Sequence, residues 1–156
     1  GGSEYLKIIH NKIEGPIPSL DLEYESKVQR VTLEAIKSGI IKSAHDLSDG
    51  GLAVCISESL ISSTKGLGAK INLTRKLRSD ELLFGECQSA IVVTVEEDNL
   101  IELVKIAQSY DIPTQSIGKV TSNEKLIINN LINIDLNTIK RSYNKSLRSI
   151  MTSKSE

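Results

Sequence analysis

A chain of 156 residues is long enough for one domain with a sizeable core and too short for two ordinary ones. Apolar residues make up 39% and charged residues 25%, the balance of a soluble globular protein, not of a disordered or membrane-spanning one. The net charge of −1, from 19 basic and 20 acidic side chains, excludes the electrostatic footprint of a nucleic-acid or anionic-membrane binder.

The chain opens Gly1-Gly2-Ser3 without Met, so it is either a cloning remnant or an internal cut from a longer polypeptide. Ser3 reads as an N-cap, and Tyr5, Leu6, Ile8 and Ile9 predict a short amphipathic helix. Gly15-Pro16-Ile17-Pro18 ends it. A longer helix is expected from Asp21 to Ser38 on Leu22, Val28, Val31, Leu33, Ala35 and Ile36, with Gly39 as its C′ residue. A short strand follows over 42–45, then an acidic glycine loop, then a helix over 51–62.

Ala69, Ile71 and Leu73 alternate as one face of a strand over 69–73. An apolar stretch over 81–85 leads into Gly85-Glu86-Cys87-Gln88-Ser89. Ile91-Val92-Val93-Thr94-Val95 is β-branched throughout and is the clearest strand. Glu96-Glu97-Asp98 opens a helix carrying Leu100, Leu103, Val104 and Ala107, which stops near Pro113. Residues 116–120 and 126–129 read as a hairpin about the polar turn 121–124. A last helix over 136–151 is amphipathic through Leu136, Ile139, Tyr143, Leu147 and Ile150, and residues 153–156 read as a frayed end. The expected class is α/β (α+β): one domain over 1–156, a mixed sheet covered by helices.

Chemistry concentrates in Ser43-Ala44-His45-Asp46-Leu47-Ser48-Asp49-Gly50-Gly51-Leu52-Ala53. Gly50 and Gly51 lack Cβ atoms, which lets backbone approach a ligand closely. The following helix would point unpaired N–H groups at an anion such as phosphate. Asp46 and Asp49 supply hard oxygens of the kind Mg²⁺ takes. The same residues also suit a plain strand-to-helix turn in which Asp49 caps the helix. His45 beside two acids invites acid–base chemistry, or equally a hydrogen bond at the strand-to-loop junction. Cys55 falls in an apolar helical pattern, as a core thiol does, and neither it nor Cys87 belongs to a Cys-x-x-Cys pair. Two such cysteines suit a reducing cytoplasm. Two histidines, His10 and His45, exclude most zinc sites.

Three motifs stand in order: Gly1-Gly2-Ser3-Glu4-Tyr5-Leu6, the string from Ser43 to Ala53, and Leu82-Leu83-Phe84-Gly85-Glu86-Cys87-Gln88-Ser89. Together they resemble the last domain of phosphoribosylformylglycinamidine synthase, over nearly the whole chain. The resemblance implies the C-terminal-type domain shared with aminoimidazole ribonucleotide synthetase, as part of a larger multidomain synthetase, with the opening Gly-Gly-Ser native at a domain junction. It implies an ATP-dependent ligase of purine biosynthesis that converts formylglycinamide ribonucleotide and glutamine-derived ammonia to formylglycinamidine ribonucleotide, with Mg²⁺ and ATP/ADP. The implied partners are the remaining domains of the parent polypeptide, a glutaminase subunit, a small bridging subunit and small-molecule nucleotide substrates, with no nucleic acid and no membrane. The lack of glutaminase sequence after Met151 points to the form with separate subunits.

The resemblance assigns Asp46 to metal and Ser48, Gly50 and Gly51 to nucleotide phosphate in an auxiliary, largely structural site; the catalytic groups lie in other domains, so this chain alone is expected to be inactive. Glu86 and Gln88 either contact a ligand or serve structure. The family usually carries Arg after the motif's Ser, where this chain has Ala90, which removes a phosphate clamp. Two other readings remain: a related ATP-dependent enzyme of the selenophosphate synthetase, thiamine monophosphate kinase or hydrogenase maturation type, and a non-catalytic binding module.

Overall fold

The computed structural model describes residues 2–152, with side chains through residue 144. The expected positions Gly1, Leu147 and Ile150 and the tail 153–156 lie outside these described parts. In chain order the elements begin α1 (Glu4–His10), α2 (Leu22–Lys37), β1 (Ile41–Asp46), α3 (Gly51–Ser62) and β2 (Gly68–Ile71). They continue α4 (Ser79–Phe84), β3 (Ile91–Val95), a 3₁₀ turn (Glu97–Asn99) and α5 (Leu100–Ser109). They end β4 (Gly118–Thr121), β5 (Lys125–Ile128), β6 (Ile132–Asp135) and α6 (Leu136–Thr152). The chain divides into two compact units, Gly1–Ile56 with Arg75–Ser116, and Ser57–Thr74 with Ile117–Glu156.

The first unit is built on an antiparallel ribbon of β1 and β3, paired from Ile41↔Val95 to Asp46↔Ile91 with an irregularity near Ile41. Alternation along β3 sends Ile91, Val93 and Val95 toward the helices. α2 starts because the Asp21 carboxylate accepts from the N–H groups of Glu23 and Tyr24, both at 3.0 Å. Its Val28, Val31 and Ala35 keep the spacing of one helical face and are buried with Leu103, Ala107 and Ile112. Leu22, Leu33 and Ile36, also expected on the core face, fall off that stripe and are exposed. The expected amphipathic face of α1 is likewise absent: it has no buried residue, and Ile8 and Ile9 face solvent.

The second unit holds a four-stranded mixed sheet in the order β4-β2-β5-β6. β2 pairs antiparallel with β4 and parallel with β5. The expected hairpin of 116–120 with 126–129 does not form, because β2 lies between those strands. A Cβ on Gly68 would strike Asn123 and the Lys125 backbone, so a bare backbone at that position lets the short connection cross the start of β2. The true hairpin joins β5 to β6. Strand β2 ends at Ile71, two residues earlier than expected, because the Asn129 side chain takes both backbone groups of Leu73: N–H at 2.8 Å and carbonyl at 3.0 Å. Leu126, Ile128 and Leu136 are fully buried in this unit.

Candidate functional site

The acidic glycine loop stands where the ribbon ends. Asp46 pairs with Ile91 as the last rung, and the Leu47 N–H extends the ladder to the Ala90 carbonyl at 2.9 Å. The chain then turns through Ser48 and Asp49, both exposed, into α3. Gly50 and Gly51 have φ of +81° and +66°, the left-handed region that glycine enters without strain. A Cβ on Gly51 would stand 2.7 Å from the Gly85 carbonyl oxygen and 2.7 Å from the Phe84 carbonyl carbon. The space beside Gly51 is therefore occupied by backbone of the third motif.

The Glu86 carboxylate closes the arrangement. Its Oε1 accepts from the Gly50 N–H at 2.9 Å and from the Glu4 N–H at 2.8 Å. One oxygen thus joins residues from all three motifs. Phe84 adds a stacked contact with Tyr5, ring centroids 5.0 Å apart and planes 10° from parallel. Neither the Glu86 bridge nor the Tyr5–Phe84 stack follows from local sequence; the residues that meet lie in three motifs far apart along the chain.

Each expected site residue now has a position. The Asp46 side chain is 72% exposed, with the Nδ1 of His45 at 3.6 Å from its Oδ1. His45 sits at the strand-to-loop junction, its Nδ1 at 2.8 Å from the Asp46 carbonyl. Ser48 is exposed, and its carbonyl accepts from the Gly51 N–H at 3.1 Å. Gly50, Gly51 and Glu86 are brought together, whereas Gln88 is exposed beyond them. Lys7 reaches the Glu4 carboxylate at 2.8 Å, and that hydrogen bond, with Asp49 contributing to the field, raises its pKa above the ordinary lysine value. Cys55 is buried and Cys87 exposed, and both are free thiols.

Among the described residues no three His, Cys, Asp or Glu side chains converge to hold a metal ion. The exposed carboxylates of the loop are those of Asp46 and Asp49, hard oxygens of the kind Mg²⁺ takes. No helix of the described residues is long and apolar enough to cross a membrane.

The sequence profile described as AIR synthase related protein, C-terminal domain, matches residues 1–129. The phosphoribosylformylglycinamidine synthase subunit PurL of Caldanaerobacter subterraneus subsp. tengcongensis is 39% identical over 146 residues, 92% of this chain and 20% of that relative. The chain thus spans about a fifth of the length of that curated relative. Two solved structures share the fold. Thermotoga maritima PurL complexed with ATP superposes with a TM-score of 0.71 at 20% identity, over 81% of this chain and 23% of that one. The PurLQS structure from the same organism gives 0.70 at 19% identity, over 90% and 25%. By the profile match, which spans residues 1–129, the chain belongs to the family of AIR synthase related proteins, C-terminal domain.

Proposed function

We propose that residues 1–156 act as one domain of an ATP-dependent phosphoribosylformylglycinamidine synthase. The reaction joins glutamine-derived ammonia to formylglycinamide ribonucleotide: ATP activates the amide oxygen as a phosphoryl ester, ammonia displaces phosphate, and ADP is left. The observation that carries this reading is 39% identity to a named synthase subunit across 92% of the chain. Identity on that scale, spread over 92% of the chain, favours this enzyme over other ATP-dependent enzymes built on the same domain type.

In this reading the chain supplies an auxiliary nucleotide site and not the reacting groups. Asp46 holds Mg²⁺, which when bound neutralises phosphate charge. The Ser48 hydroxyl and the loop at Gly50 and Gly51 face the nucleotide phosphate. The Gly50 and Gly51 N–H groups already have protein acceptors, so an entering phosphate meets the Ser48 hydroxyl first and approaches Asp46 only across Mg²⁺. Glu86 serves structure, and Gln88 remains the exposed side chain open to a ligand. The remaining domains of the parent, a glutaminase subunit and a small bridging subunit complete the enzyme. The two free thiols support a cytoplasmic setting.

The test is a chimera in which this chain replaces the matching domain of the Caldanaerobacter subunit. Formation of formylglycinamidine ribonucleotide from ammonia, ATP and formylglycinamide ribonucleotide is expected. A folded, soluble but inactive chimera speaks against the assignment. Calorimetry of Mg·ADP with the chain and with Asp46→Asn tests the site: binding lost in the variant supports it, and binding unchanged refutes the role of Asp46.

A further inference from the structure

We propose that Phe84-Gly85-Glu86 is a clamp that makes the docking of α1 and the closed form of the glycine loop a single event. Three contacts on three consecutive residues carry the inference. The Phe84 ring stacks on Tyr5 of α1. The backbone of Phe84 and Gly85 seats the Cα of Gly51. The Glu86 Oε1 is shared between the Glu4 N–H of α1 and the Gly50 N–H of the loop.

Sharing one oxygen matters. A rotation of the Glu86 side chain breaks both hydrogen bonds together, leaving one donor at each segment without its acceptor. α1 has seven residues and no buried side chain, and a helix of that length does not persist in water without tertiary contacts. Its order is thus borrowed from the clamp; the Lys7–Glu4 ion pair lies within α1 itself and does not anchor it to the rest of the unit. The loop in turn keeps its shape against the same three residues. Glu86 is in this sense a positioning residue: it touches no reacting group and holds the loop that carries Ser48 and Asp46.

One consequence rests on the nucleotide reading above. An anion that takes the Gly50 N–H must turn Glu86 away, which also frees the Glu4 N–H. Nucleotide in the loop and α1 in its docked position then oppose each other.

Native-state amide exchange, followed by NMR on the chain, tests the clamp. Tyr5→Ala removes the α1 side of the stack on Phe84 and leaves every loop residue in place, yet it should speed exchange of both the Glu4 and Gly50 amides, by roughly three- to tenfold, the range an aromatic pair supports. The Ala107 and Ile128 amides should not change, which shows that both units stay folded. Faster exchange at Glu4 with Gly50 unmoved overturns the proposal. Glu86→Gln keeps a neutral acceptor and should speed both amides in a similar ratio; a response confined to one of them also overturns it. Mg·ADP separates the two readings. Binding that alters Gly50 and accelerates Glu4 supports the opposition, and binding that alters Gly50 with Glu4 still protected refutes it. If Mg·ADP does not bind, the nucleotide reading falls and the Tyr5→Ala result still decides the clamp.

Discussion

Gly51→Ala is the sharpest test of how the loop is built. Alanine at a left-handed position costs about 1–2 kcal/mol. Its Cβ would also meet the Gly85 oxygen and Phe84 carbonyl carbon at 2.7 Å, with the Phe84 Cα at 2.9 Å. These are backbone atoms, which cannot swing aside as a flexible side chain does, so an overpacking cost of about 1–3 kcal/mol adds to the first. Gly39→Ala is the matched control. Gly39 has φ +74° with nothing within 4 Å of its would-be Cβ, so it carries the backbone cost alone. Gly51→Ala should therefore lower stability by about 2–5 kcal/mol, and Gly39→Ala by about 1–2. Domains hold only about 5–15 kcal/mol in all, so the difference is large. Urea unfolding followed by tyrosine fluorescence reads it, since Tyr5, Tyr24 and Tyr110 of the four tyrosines lie in the unit that holds both glycines. Equal losses in the two variants would refute the claim that Gly51 is held against the third motif.

Three further outcomes are expected. Asn129→Gly keeps the backbone at φ 48° accessible but deletes two hydrogen bonds to Leu73, for a loss of about 1–3 kcal/mol in urea unfolding. Asn129→Ala should lose about 1 kcal/mol more, and no difference between the two would discount backbone strain there. Asp21→Ala removes the cap of α2 and should cost about 1 kcal/mol, read as a lowered midpoint in thermal circular dichroism; an unchanged midpoint would count against the cap. Cys87 is exposed as a residue, but neighbouring atoms partly desolvate its thiol and push its pKa above the ordinary value, with the Arg75 charge opposing, so less of it is thiolate at any given pH. Alkylation of Cys87 by iodoacetamide should lag free cysteine at pH 8 and close the gap as pH rises, while buried Cys55 stays unlabelled in the folded chain; equal rates at pH 8 would contradict the shift.

Elements fixed by neighbouring residues were legible in the sequence. Ile91–Val95 is a strand because every residue suits one, and α2 starts and stops at Asp21 and Ser38, where a cap and a following glycine predict it. The third motif announced that something happens at Glu86, but not what. The Glu4–Glu86 bond joins positions 82 apart, and nothing local encodes such a pairing. The late sheet was misread for the same reason. Two strand-like runs about a short turn look like a hairpin, and only the sheet reveals that Ala69–Ile71 lies between them. Strand β6 carried a legible alternation, Ile132-Asn133-Ile134-Asp135, yet was not among the expected strands.

That inserted strand bears on how the chain reaches its final form. β2 leaves the ribosome well before β4 and β5, and so waits without a partner strand. When β4 and β5 arrive, they are close neighbours along the chain, and closing a short local loop between them is fast. Pairing them directly would shut β2 out and create a compact trap that must reopen before the sheet can be completed. Completing this sheet therefore requires β2 to enter between two strands that are near neighbours along the chain. The bare backbone at Gly68 lets that crossing form without a clash.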